Sequence, residues 1–442
     1  MMEQAELPQG WAIAALGDVI HKARPKIPAD PNSQLPFIGM DHIEPHSFHL
    51  VGRDEFSKMK SAGSYFKPGD VLYGRLRPYL NKVHKARFEG VASAEFIVLP
   101  ASENHNGDFI KYLLHQQQFI DFAMSRASGD RPRVKFDVIA DFCFGLPPYD
   151  EQGRIVDKIE SLFAQLDHGE AALRDVQKLL ARYRQSVLKA AVTGQLTADW
   201  RSQRGASNWK MIMLGELAEY LTSGSRGWAK YYSEKGDLFI RAQNLKNDQL
   251  ELDDIAYVTL PSISEGQRTR VRKGDLLITI TGANVTKSAL VEKDPGTAYV
   301  SQHVALFRPT REIDPEFLYW FVVAKAGGRK QLENYAYGAG KPGLNLQNIR
   351  EVSLSLPPLE EQREIVQRIK ASTSRQEAVF KEIKHQLQGS AGLRQSILKD
   401  AFAGKLVPQD PDDEPASELL ARIRAERDAA TPKKRTRKKA TA

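Results

Sequence analysis

The sequence predicts a mixed α/β protein written as one module twice: two similar globular domains and two long helices that pack on one another, related by a pseudo-two-fold internal repeat. Three observations predict it. Blocks of sequence recur at a nearly constant separation, apolar residues follow a heptad spacing after each of two Pro-Pro pairs, and short β-like runs mix with helical stretches elsewhere.

The repeat is read from matched blocks. Trp11 with Leu16-Gly17 matches Trp209 with Leu214-Gly215, 198 residues further on. KPGDVL at 67–72 matches RKGDLL at 272–277, at a separation of 205. GLPPYDEQGRIV at 145–156 matches SLPPLEEQREIV at 355–366, and the separation of 210 then holds through RQSVLK (184–189) and RQSILK (394–399). The first part of each copy therefore carries small insertions, while the later part keeps its length to the residue. Surface loops tolerate insertions and a packed helical register does not.

The constant-length parts, 150–199 and 358–405, read as the long helices. Asp150 or Glu360 stands near each start with Glu151 or Glu361 in the first turn, where the helix dipole favours acidic side chains. Apolar residues fall at 155, 159, 162, 166, 173, 176, 180, 183 and 187, a seam broken once at Gly169. The second helix keeps Ile365, Ile369, Val379, Ile383, Leu393 and Ile397, interrupted by Ser372, Gln376 and Gly389. Two seams in one chain are most simply satisfied by packing together; the alternative is that each packs on its own domain. The globular parts, 1–149 and 200–357, mix strand-like AEFIVLP (94–100) and DLLITIT (275–281) with helical DFIKYLLHQQQFIDFAM (108–124) and DPEFLYWFVVAKA (314–326). Residues 406–442 read as a Pro/Asp-rich linker, a short helix over 417–430 and a basic disordered tail.

Charge narrows the function classes. The net charge is +8, but Lys433, Lys434, Arg435, Arg437, Lys438 and Lys439 supply six of those charges, so the body is nearly neutral. A nucleic-acid footprint on it must come from local patches. The tail itself reads either as a solubilising end or as a non-specific phosphate attractor. No apolar run reaches the roughly 18–20 residues of a membrane helix, and MMEQAELPQGW has no signal-peptide pattern. Cys143 is the single cysteine, which excludes a disulfide framework and a cysteine zinc site. A cytoplasmic protein is expected.

Catalytic chemistry is sought and not found. LPPY (146–149) resembles a methyltransferase tetrapeptide, but Leu146 stands where a polar side chain must hold the amine, and the second copy reads LPPL. GAGKPG (338–343) lacks phosphate-loop spacing, with Pro342 where Ser or Thr would bind magnesium. His42, His46 and His49 have helical metal-ligand spacing, yet Pro45 disfavours one helix through them.

Basic loops are what remain. GRLRPYLNKVHKARF (74–88) carries Arg75, Arg77 and Lys82 with Tyr79 and Asn81, and no acidic residue. Its match in the second copy, TITGANVTKSA (279–289), carries Asn284 and Lys287. SGDRPRVKF (128–136) carries Arg131, Arg133 and Lys135, and aligns with YGAGKPGLNL (337–346), which holds Lys341 and Asn345. Arg131-Pro132 thus corresponds to Lys341-Pro342. Arginine to guanine and asparagine to adenine are the usual bidentate base contacts. Tyr79 apart, these eleven residues are the candidate DNA-binding set.

LPxGW near the start, two LPPxxEQxxIV segments, RQSxLKxA, the TGQLTADWR junction (193–201) and the ending ASELLARIRAERDAATPKKRTRKK resemble the specificity subunit of type I restriction–modification systems, in its enterobacterial-type subgroup. The resemblance spans essentially the whole chain. It implies two target recognition domains, each reading one half of a split double-stranded DNA sequence, held apart by an antiparallel pair of helices. It implies no catalysis and no cofactor in this chain. It also implies two methyltransferase subunits bringing S-adenosylmethionine, and two translocase-nuclease subunits using ATP and Mg. The competing expectations are a self-contained methyltransferase-nuclease and a coiled-coil adaptor without DNA.

Overall fold

A computed structural model describes residues 7–205, 208–224, 226–261, 266–336 and 343–430. The chain forms two compact units, and they are interleaved. Met1–Ala172 joins His385–Ala442 in the first, while Leu173–Lys384 forms the second. Each long helix is therefore shared, because the first runs Tyr149–Val192 and the second Leu359–Phe402. At 44 residues each, they are about 66 Å long at about 1.5 Å per residue.

Each unit is closed by the same antiparallel clasp. Ala12–Ala15 pairs with Cys143–Leu146 in the first, Lys210–Met213 with Ser353–Leu356 in the second. Pro-Pro follows the clasp's second strand and ends it, since proline cannot donate to a ladder. Above the clasp lie two sheets. One is antiparallel: Val83–Lys85, Val71–Gly74 and Phe96–Leu99 in the first unit, and Ala218–Ser223, Val304–Pro309, Leu276–Thr279 and Ser288–Leu290 in the second. The other is mixed and holds one parallel pair in each unit, Pro36–Ile38 with Gly90–Ser93 and Asp237–Ile240 with Ala298–Val300. Ile38↔Ala92 and Ile240↔Val300 are matched registers of that pair, so the repeat extends to strand pairing.

The LPPxxEQ motif is explained by what Glu and Gln do. Both Glu151 and Glu361 are fully buried, and each accepts a tryptophan indole N–H at 3.0 Å, from Trp11 and Trp209. Gln152 accepts from Asn106 N at 2.9 Å and donates to Pro147 O at 3.2 Å. Gln362 accepts from Asp314 N at 2.7 Å and donates to Pro357 O at 2.8 Å. Asn106 and Asp314 are themselves N-caps of the domain helices Gly107–Leu113 and Pro315–Val323. Thus one dipeptide fastens the start of each long helix to the tryptophan just before its domain's clasp strand and to the N-terminus of a domain helix. Removing either polar partner would leave buried donors unpaired.

The remaining oxygens of the two glutamates are served differently. Glu361 accepts from Thr197 Oγ at 2.7 Å and forms an ion pair with Arg201, both from the junction that follows the first long helix. Glu151 accepts from Gln409 Nε2 at 3.2 Å, from the segment that follows the second. Both helices end on a left-handed glycine, Gly194 at φ +78° and Gly404 at φ +68°, which turns the chain back toward these sites.

Three expectations need correction. The 407–416 stretch is not slack linker: Arg154 holds Asp413 through two bonds of 2.5 and 3.1 Å, and Ala416 N donates to Gly10 O at 2.9 Å. The helix Ala416–Ala430 then buries Leu419, Leu420 and Ile423 in the first unit's core. The first helix ends at Val192 rather than 199, because 193–197 is spent on the Glu361 site. The seam is also not buried continuously: apart from Ile383, its buried residues lie toward the helix ends. Ile155, Ile159 and Phe163 share a core with Leu398 and Ala401, and Leu188 and Ala191 share one with Ile365 and Ile369. Val176, Tyr183, Val379 and Leu393 stay exposed. Within the first unit Arg394 meets Asp167 at 2.7 Å while Ser390 meets Glu170 at 2.6 Å. No described helix is long and apolar enough to cross a membrane. The tail beyond 430 lies outside the described residues.

Candidate nucleic-acid interface

In the first domain the two basic loops form one surface. Strand Val71–Gly74 runs into the 75–82 loop, and Arg77 N donates to Pro132 O at 2.7 Å while Val134 N donates to Arg75 O at 3.1 Å. The second loop closes on itself through Ser128 and Arg133, whose backbones bond both ways at 3.2 Å, with Gly129 at φ +91° making the turn. A third segment joins them: Arg75 N donates to Glu95 O at 2.9 Å. The tip of this three-segment joint exposes Arg77, Tyr79, Arg131 and Lys135.

The second domain repeats the joint. Leu344 N donates to Ile280 O at 2.8 Å, Thr281 bridges Gly343, and Ile280 N donates to His303 O at 2.9 Å. Ile280 thereby stands for Arg75, and His303 for Glu95. Asn345 is exposed there, and its side chain caps Leu346–Arg350 by accepting from Asn348 N at 2.8 Å. Lys341 lies outside the described residues.

Four candidates are tied up inside the fold. Asn81 is buried, donating to His115 Nδ1 at 3.0 Å and His115 O at 3.3 Å, and its φ of +40° is held by that anchor. Lys82 is buried and donates to Met40 O at 2.5 Å; burial holds its ammonium below the ordinary lysine value. Both are corrected from DNA contacts to struts beneath the loop. Loss of water around a charge is costly, so such groups are kept where a partner repays them. Asn284 donates to Ala242 O at 3.3 Å, bracing the second loop on the short turn equivalent to the one holding Met40. Arg133 is half-exposed, but Glu95 holds its guanidinium at 3.0 and 3.1 Å, and this pairing raises its pKa.

Arg75 is half-buried, with its Nε enclosed and without a partner. Lys287 is 44% exposed and lies 3.9 Å from Asp248. The left-handed Thr286 beside it (φ +72°) is held by buried Arg329, which donates to Thr286 O at 2.5 Å and Oγ1 at 3.0 Å and pairs with Asp248. Such strain persists where surroundings over-determine it, and it clusters at functional surfaces.

Sequence reasoning missed Glu95 and His303, whose carbonyls complete the joints, and Gln243 and Gln302 near them. A signal was available: FIGMDHI (37–43) and FIRAQNL (239–245) recur as a strand running into a short turn, with Gly39 N capped by His42 at 2.9 Å and Arg241 N by Asn244 at 2.9 Å.

Comparison with known proteins gives consistent results. Residues 206–388 match the family model described as the type I restriction modification DNA specificity domain. The chain is 26% identical over 476 residues to the type I restriction enzyme StySPI specificity subunit of Salmonella potsdam, covering 99% of this chain and all of that one. It is 30% identical over 324 residues to the EcoBI specificity subunit of Escherichia coli, covering 68% of each. The crystal structure of the HsdS subunit from Thermoanaerobacter tengcongensis superposes with a TM-score of 0.59 at 21% identity, covering 91% of this chain and all of that one.

Proposed function

The chain belongs to the type I restriction enzyme specificity subunits, and from that premise we propose that each of its two domains reads one short block of a bipartite double-stranded DNA target across a spacer of fixed length. It is a non-catalytic DNA-recognition subunit. Two methyltransferase subunits bring S-adenosylmethionine to the site, and two translocase-nuclease subunits bring ATP and Mg chemistry. The assembly works in the cytoplasm.

The observation that carries this reading is the joint built twice. Arg75–Glu95–Val134 in one domain and Ile280–His303–Leu344 in the other are the same backbone arrangement, and different side chains crown it. A conserved scaffold with divergent tips is what two readers of different sequences require, since phosphate contacts position a protein while side chains at base edges specify. A self-contained enzyme or a coiled-coil adaptor would have no use for the same joint built in both domains. The test is exchange of residues 1–149 for the corresponding domain of a relative, followed by methylation mapping of a genome carrying the complex. One half-site should change and the other remain. Change in both would overturn the modular reading.

A further inference from the structure

The two domains crown their matched joints with opposite chemistry, and the second domain's crown surrounds a cavity. Gly39, Asp41, Ala94 and Glu95 in the first domain are replaced by Arg241, Gln243, Gln302 and His303 in the second. The acidic pair has become two amides, an imidazole and a guanidinium. These four residues line a cavity of about 280 Å³ together with Trp228, Tyr232, Phe239, Ala242 and Ser301. Trp228 and Phe239 are stacked at 5.6 Å, and Tyr232 meets Phe239 edge-on at 5.6 Å. Tyr232 is 47% exposed, Gln302 is half-exposed, and Gln243 and His303 are exposed.

Position and unmet valence both point to a ligand. His303 O holds Ile280, at the root of the 281–284 loop, and Ala242 O holds Asn284 in that loop, so the cavity lies against the second domain's reading surface. Ser301 is 95% buried (5% exposed), lines the cavity, and its hydroxyl has no partner; Arg241 Nε has none either, while Arg241 Nη2 donates to Asp254 O at 3.1 Å and Gln243 Nε2 donates to Asp254 Oδ2 at 2.8 Å, which fixes both side chains at the rim. In the first domain the matching Ser93 instead caps Glu95 N at 3.3 Å, and Glu95 neutralises Arg133.

We propose that this cluster reads an A·T base pair in the half-site of the second domain, with Gln302 as the specificity-determining residue and the aromatic-floored cavity as the seat of the thymine methyl group. A glutamine amide donates and accepts at once, which matches the N7 acceptor and N6 donor of adenine, and thymine alone offers the major groove a methyl group. Gln302 Nε2 rests on His303 Nε2 at 3.1 Å, which orients the amide without burying it. The inference rests on the DNA-reading function given above and adds a base identity to it.

The experiment uses the intact methyltransferase complex. Methylation mapping with the wild-type chain defines the two half-sites, and exchange of 1–149 assigns one to the second domain. That half-site should contain an A·T pair at which Gln302→Ala relaxes selection by roughly tenfold or more, with the other half-site unaltered. Gln302→Glu should move preference at that position toward C·G, because a carboxylate accepts from cytosine N4. Replacing the thymine by uracil in a duplex probe, which deletes only the methyl group, should weaken binding several-fold in the wild type. A half-site without A·T, unchanged selection in Gln302→Ala, a loss uniform over all sequences, or indifference to uracil would each overturn the proposal. A wild-type bipartite methylation pattern would meanwhile leave the DNA-reading function standing, so the two ideas fail separately.

Discussion

Glu151 and Glu361 occupy the same place in the repeat, and the structure gives them opposite energetics. Glu361 is fully buried against a cation, Arg201, and two neutral donors, Thr197 and Trp209. Changing it to glutamine keeps the volume but strips the charge from a buried pair. Breaking such a pair costs about 3–5 kcal/mol, and hydrogen bonds to charged groups are worth about 1.5–3 kcal/mol each. An amide oxygen can still serve one donor, so about 3 kcal/mol is the expected loss for Glu361→Gln. That is roughly a hundredfold rise in the open population of the second unit. Among the described residues, Glu151 has Trp11 and Gln409 as its direct side-chain donors, and burial pushes its carboxyl pKa up. An acid whose folded pKa is raised loses stability as pH climbs through that value, so at neutral pH its charge is a burden. Glu151→Gln removes the burden and should lie within about 1 kcal/mol of wild type or above it. Hydrogen exchange of peptides spanning 315–323 and 107–113 reads the two units separately. Equal deprotection by the two variants, or a larger effect of Glu151→Gln, would refute the argument.

Arg131→Ala should cost about 1–3 kcal/mol and relax one target position if Arg131 reads a base, whereas a loss uniform across sequences would make it a phosphate contact; competition binding with variant duplexes decides. Asn81→Ala should instead lower thermal stability by about 1–3 kcal/mol, through the unpaired groups it leaves, while the methylated sequence stays the same. His115, held neutral by burial with a pKa lowered from 6.5 to about 4, contributes about 3 kcal/mol to the first unit. The unfolded chain takes up that proton first as pH drops, so the contribution is complete above pH 6.5 and lost toward pH 4; urea titrations across that window should show the slope, and His115→Gln should flatten it. Isothermal titration of the isolated chain with S-adenosylmethionine or ATP should give no micromolar binding on the proposal that these ligands are brought by partner subunits.

The parts of this molecule that were legible in sequence are those written with a period or a fixed length. The helices and their Pro-Pro starts, the repeat and the recurrence of the loop segments at separations of 205 and 210 follow from spacing alone. Burial within a loop has no period, so Asn81 and Lys82 looked like their exposed neighbours Arg77 and Tyr79 until His115 and Met40 were found beneath them. Arg133 looked free because Glu95 lies 38 residues away in sequence. The 407–416 segment carries the Pro and Asp content of a linker, and only the placement of Arg154 turns Asp413 into an anchor. Composition describes what a segment tolerates; the partner that captures it is a tertiary fact.

The interleaving of the two units has a consequence for the order in which the protein is made. Domains generally complete from the N-terminus as the ribosome delivers them. Here the unit containing the N-terminal domain cannot be first, because its core needs Leu398 and Ala401, then Leu419, Leu420 and Ile423, and its Glu151 waits for Gln409. The second unit is one continuous stretch, 173–384, with Trp209, Arg201 and Glu361 all inside it. Synthesis therefore finishes the later-coded reader while the earlier one still lacks its final pieces. The nascent first domain has both strands of its clasp early, but the core face that Leu398 and Ala401 will cover stays open through more than two hundred residues of elongation, and a ribosome stalled before residue 398 would carry one finished half and one incomplete one.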